Sequence, residues 1–137
     1  MSKIKLPARI EYLEALIQFV SAYAREKGFT HERITQVELA TEEALVNIFN
    51  YAYPENIGKV ELTCKMDNDK FIIKIVDTGV PFDIESVPEP DLTTDISDRK
   101  IGGLGIFVIR KMVDELQYRR EDGKNILTFI LYQREEK

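Results

Sequence analysis

At 137 residues and 44% hydrophobic, the chain has the material for one buried core and too little for two domains of ordinary size. Its 24 acidic and 19 basic residues leave a net charge of -5 with no long Lys/Arg run, which argues against duplex nucleic acid as a direct partner. No stretch approaches the roughly 20 apolar residues of a membrane span, the first residues lack the apolar run of a secretory signal, and the lone Cys64 permits neither an intrachain disulfide nor a cysteine zinc cluster, so a cytoplasmic location is expected.

Along the chain, Pro7 is placed to open a helix, and Ile10, Leu13, Leu16, Ile17, Val20 and Ala24 recur at helical spacing until Gly28. Thr30 supplies an N-cap for a longer helix through Tyr51, whose stripe is Ile34, Val37, Ala40, Ala44, Leu45 and Ile48. From Val60 the period changes to two: Val60, Leu62, Cys64 and Met66 alternate with polar residues, and after the turn at "DNDK" the run "FIIKIVD" makes a second strand ending at Asp77. A stretch of about 25 residues with three prolines and many acids follows, a length that in a compact domain marks a functional lid or a disordered segment. Ile106 to Leu116 then read as a helix, and "LQYRRED-G-KNILTFILYQ" as two strands around an Asp122-Gly123 turn. Helices segregated from a mostly antiparallel, mixed sheet predict a single α+β domain over 1–137, a two-layer α/β sandwich with its helices on one face.

Three segments carry chemistry. Gly102, Gly103 and Gly105 immediately precede a helix, where bare backbone and the helix's unpaired N–H groups suit an anion such as a phosphate. Neither the dinucleotide fingerprint nor a P-loop is present, and taken alone the cluster fits equally well a turn that lets a helix pack closely. On the second helix Glu43 and Asn47 lie four residues apart, hence on one face, a carboxylate to accept a proton beside an amide oxygen of the kind magnesium takes; a solvated helix face is the alternative. In "VDTGVPFD", Asp77 ends an apolar strand where its carboxylate can accept a ligand hydrogen bond, and Gly79 permits close approach of a flat ring, unless this is an ordinary strand-end turn.

Taken in order, "EEALVNIFNYAY", "VDTGVPFD" and "GGLGIFVIRKMVDE" resemble the N box and the two glycine boxes of the GHKL superfamily of ATP-binding domains, and most closely its small bacterial branch of anti-sigma-factor serine kinases. The resemblance runs from about Ile10 to Leu131 and implies the Bergerat α/β sandwich, with a lid over about 78–105. It implies Glu43 as general base, Asn47 as the Mg²⁺ ligand, and Asp77 as acceptor from the adenine amino group with Gly79 beside the ring. Gly103, Leu104 and Gly105 would offer N–H groups to the phosphates of ATP or ADP, and Thr128 falls where the superfamily has a threonine near the adenine. The implied activity is phosphorylation of a STAS-domain antagonist and sequestration of a sigma factor, by a protein that also forms homodimers. Tyr51 stands where the branch often has histidine; a phenol carries no positive charge at neutral pH, which leaves open a non-catalytic, ATP-dependent binding module or a slow ATPase of the same fold. Arg99 and Lys100 are alternative cations, or simply a solvated pair. His31, 12 residues and so about 18 Å of helix before Glu43, is expected at the surface, and Cys64, Tyr118, Phe129 and Tyr132 fit strand patterns.

Overall fold

A computed structural model describes residues 1–53, 57–81 and 103–133, apart from the side chains of 103–106. Strands β1 (Ser2–Pro7), β2 (Lys59–Asp67), β3 (Lys70–Asp77), β4 (Glu115–Glu121) and β5 (Lys124–Tyr132) form one sheet in the order β1-β2-β3-β5-β4. Each pairing among the described residues is antiparallel. Two tight hairpins fix the register. Asn68 turns β2 into β3 at φ 57, and Asp122 and Gly123 turn β4 into β5 at φ 51 and 74, the paired positive values that a two-residue hairpin turn requires.

Alternation then assigns the faces. Phe71, Ile73, Ile75 and Asp77 of β3 and Asn125, Leu127, Phe129 and Leu131 of β5 are buried, and α1 (Leu13–Glu26), α2 (His31–Tyr51) and α3 (Gly103–Met112) supply the apolar stripes that cover them. Leu16 and Val20 of α1, Val37 and Leu45 of α2 and Ile109 of α3 meet Leu62, Phe71, Ile73 and Phe129 in one fully enclosed core. Among the described residues no helix is long and apolar enough to cross a membrane.

The first residues correct the sequence reading. Pro7 closes an edge strand and opens no helix: β1 pairs with β2 from Ser2↔Cys64 to Pro7↔Lys59, and α1 begins at Leu13 after one 3-10 turn at Ile10–Tyr12. The period-two signal was there in "KIKL", where Ile4 and Leu6 lean on the core while Lys3 and Lys5 point away; Ile10, read above as the first residue of the helical pattern, lies in the 3-10 turn and is 66% exposed. The last helix also shifts. It begins at Gly103 and ends at Met112, because the Asp114 amide donates to the Ile130 carbonyl at 3.0 Å and starts the β4 ladder, which takes Leu116 into a strand.

Helix α2 is fastened at its start. Thr30 Oγ1 accepts the Arg33 amide at 3.2 Å as the N-cap. The Arg33 guanidinium donates to Asp114 Oδ2 at 2.6 Å, and the same oxygen accepts the Tyr132 amide at 2.7 Å, so helix, turn and last strand meet on one carboxylate. Gln133 Nε2 donates to the Lys27 carbonyl at 2.8 Å and closes this end.

Candidate functional site

At the opposite end of the sheet, α2, the end of β3 and the start of β5 line an open cleft, with Asn47, Tyr51, Asp77, Val80, Tyr118 and Asn125 in its wall. Ile48, Leu127 and Val80 give it apolar sides, against which a flat ring can lie.

Its floor is Asp77. The cross-strand partner of Asp77 is Asn125, and both side chains are buried. Asp77 Oδ1 accepts the Gly79 amide at 2.8 Å and Asn125 Nδ2 at 2.9 Å, while Oδ2 has no hydrogen-bond donor among the described residues. One oxygen is thus saturated and the other is left as an acceptor. Burial pushes the carboxyl up from its ordinary value, against the opposing pull of Asn125, the Gly79 amide and the Arg120 charge.

Asn125 is oriented by its neighbours. Its Oδ1 accepts the Tyr118 hydroxyl at 2.6 Å and Arg120 Nη1 at 3.2 Å, and a guanidinium has no acceptor capacity, so the amide nitrogen must face Asp77 and the Val80 carbonyl at 2.8 Å. Gly79 rests on the last turn of α2, where a Cβ would collide with the Ala52 carbonyl.

Thr128 is a correction. It lies three residues after Asn125, an odd step along a strand, and so points to the other face of the sheet, opposite Lys74 and Gln117. Asn125 occupies the place by Asp77 that was expected of Thr128. The signal for Asn125 was available in the parity of Leu127 and Phe129 and in the Asp122-Gly123 turn that sets the register. For Tyr118 and Arg120 of β4 there was no comparable signal, since they act through that pairing.

On α2, Asn47 enters the cleft wall and its buried Nδ2 has no hydrogen-bond partner among the described residues. Glu43, one turn earlier and half-buried, has its carboxyl raised above the ordinary value by burial and by the neighbouring Glu42 charge. Tyr51 is 39% exposed at the rim. Gly103, Leu104 and Gly105 form the first turn of α3. Arg99, Lys100, Gly102 and the rest of 82–102 lie outside the described residues. His31 is exposed in the first turn of α2, away from the cleft, and Cys64 is a core residue whose thiol burial pushes up to about 12, which removes it as a nucleophile.

The cleft thus offers an acceptor on its floor between apolar walls, with a carboxylate and an amide one helical turn apart beside it. Residues 6–131 match the model of the histidine kinase-like ATPase domain, and the chain belongs to that family. Within it, the chain is similar to serine-protein kinases RsbW: 27% identical to one from Bacillus cereus over 98% of this chain and 86% of the relative, and 27% identical, with the same coverage, to one from Bacillus thuringiensis subsp. konkukian. Among solved structures, the RsbU and RsbW domains of a Mycobacterium tuberculosis protein superpose with a TM-score of 0.68 at 14% identity, over 96% of this chain and 32% of that longer one. The catalytic domain of the histidine kinase ThkA gives 0.59 at 18% identity, over 97% of this chain and 99% of that one. These two likenesses concern the fold.

Proposed function

We propose that the chain is an ATP-dependent protein serine kinase of the RsbW type, which phosphorylates a STAS-domain antagonist and sequesters a sigma factor. The observation that carries the nucleotide part is the half-saturated carboxylate of Asp77: one oxygen held by Gly79 and Asn125, the other left for an exocyclic amino group. The serine-kinase part is supported by the RsbW relatives, and the partner pair by the resemblance of the three boxes to the anti-sigma branch.

In this reading Asp77 fixes the adenine, and the N–H groups of Gly103, Leu104 and Gly105 at the start of α3 meet the phosphates. Asn47 fits a magnesium ion: its amide oxygen is a hard ligand at the cleft wall, and among the described residues no partner holds its buried nitrogen, so nothing there ties the amide down. Mg²⁺ held there with the phosphates would neutralise charge during transfer. Glu43, with its carboxyl raised toward the working range of a general base, takes the proton of the substrate serine. The second reading, a binding module or slow ATPase, draws on Tyr51, which brings no cation to the phosphates.

Calorimetric titration of ADP and ATP with and without Mg²⁺, on wild type and Asp77→Asn, tests the nucleotide site. The substitution keeps an oxygen for Gly79 and Asn125 but turns an NH₂ toward the cleft, so binding is expected to fall by about a hundredfold. Because the folded carboxyl is raised, the fold binds its proton more tightly than the unfolded chain does, and stability falls as pH rises from the unfolded value through the folded one. At neutral pH the amide should therefore leave the melting temperature unchanged or higher. Wild type that binds neither nucleotide would end the reading.

A further inference from the structure

The peptide that follows Asp77 is held at almost every polar atom. The Thr78 amide donates to Tyr53 Oη at 2.8 Å, the Gly79 amide to Asp77 Oδ1 at 2.8 Å, and the Val80 amide to the Ala52 carbonyl at 2.8 Å. The Gly79 carbonyl accepts Arg120 Nη1 at 2.7 Å and the Val80 carbonyl accepts Asn125 Nδ2 at 2.8 Å. Most of these partners belong to the last turn of α2 or to the β4–β5 hairpin. Tyr53 is different, because it follows α2 and reaches across to both β2 and β3.

Its phenol has one proton, and that proton goes to the Lys59 carbonyl at 2.7 Å. The oxygen is then an acceptor only, which fits the Thr78 amide and obliges the Thr78 hydroxyl, 3.3 Å away, to be the donor. The ring packs against Gly58, where a Cβ would collide with Tyr53 Cε1, so glycine at 58 is what admits it. One side chain thus spans the end of the helix that carries Asn47, the start of β2 and the residue next to Asp77.

We propose that Tyr53 is a positioning residue for base recognition, whose phenol holds the Thr78 peptide so that the unpaired oxygen of Asp77 stays turned to the cleft. The inference rests on the nucleotide reading given above. It assigns to Tyr53 a part of the site that touches neither phosphate nor metal, and this gives it a distinct signature. Disturbing Tyr53 should cost the contact to the exocyclic amino group and spare the contacts to sugar and phosphates.

The test is calorimetry with ADP and with IDP, which differs in carrying a carbonyl in place of the amino group, at a temperature well below the melting point of each protein. Tyr53→Phe, which removes one hydroxyl, is expected to weaken ADP about tenfold and to change IDP by less than about twofold, so that the preference for ADP shrinks. Gly58→Ala, which displaces the ring and keeps the hydroxyl, should shrink it in the same direction. A residue that serves stability alone would lower the melting point and leave the ADP-to-IDP ratio where it was, and that result in both variants overturns the inference while the nucleotide site stands. Wild type that fails to bind ADP overturns the site and the inference together.

Discussion

The two ends of α2 are built to opposite rules. At its start Thr30 caps the first turn, Arg33 reaches Asp114, and Asp114 also takes the Tyr132 amide. Toward its far end the Asn47 amide nitrogen is buried with no partner, and Glu43 carries a carboxyl that burial and Glu42 hold above its ordinary value. Thr41 Oγ1, on the same helix, is the other such unpartnered buried atom among the described residues. Buried polar groups in folded proteins nearly always find partners, so unspent capacity beside a cleft points to something that arrives later. One end fastens the helix; the other waits for a ligand.

If that contrast is right, substitutions at the far end should change chemistry and leave stability alone. Glu43→Gln is expected to cut transfer of labelled γ-phosphate from ATP to a STAS-domain protein by about 10²–10⁴-fold while ADP affinity stays within about threefold. A base must be ionised to work, so the raised carboxyl predicts that the rate falls on the acid side at a pH above the ordinary 4.5 of a glutamate. Glu42→Gln removes the neighbouring like charge and should move that limb to lower pH; an unmoved limb would assign the shift to burial alone. Asn47→Ala is a smaller break. It should remove the gain in nucleotide affinity that Mg²⁺ brings, about tenfold, without lowering the melting temperature, since among the described residues the nitrogen it deletes holds nothing.

The sequence made the far end legible, and of the near end only the Thr30 cap. Glu43 and Asn47 share a helix face because of their spacing, and Asp77 ends a strand whose alternation is plain, so each could be placed from local pattern. Asn125 and Thr128 are told apart only by parity counted from the Asp122-Gly123 turn, because a strand residue's face depends on its step from the hairpin and not on the residues beside it. Arg33 and Asp114 are 81 positions apart, and their pairing exists only once the sheet is assembled. The edge strand was lost for a different reason. Proline before an apolar, helix-spaced run reads locally as a helix start, and only β2 lying alongside tells the chain that "KIKLP" is extended.

Arg33→Ala is the smallest expected effect and the one that sharpens the contrast most. The pair is close, at 2.6 Å, but the side chains are 24% and 29% exposed, so water screens part of the attraction. Asp114 also keeps the Tyr132 amide when the guanidinium goes, so its carboxylate, which water also reaches, is not left without a partner. Together these limit the expected loss to about 1 kcal/mol, a few degrees in melting temperature, and less in high salt. Nucleotide affinity should not move, because Arg33, Gln36, Asp114 and Tyr132 lie at the opposite end of the sheet from the cleft. A matching loss of ADP affinity in Arg33→Ala would mean that α2 transmits strain along its length, and the two ends would have to be treated as one device.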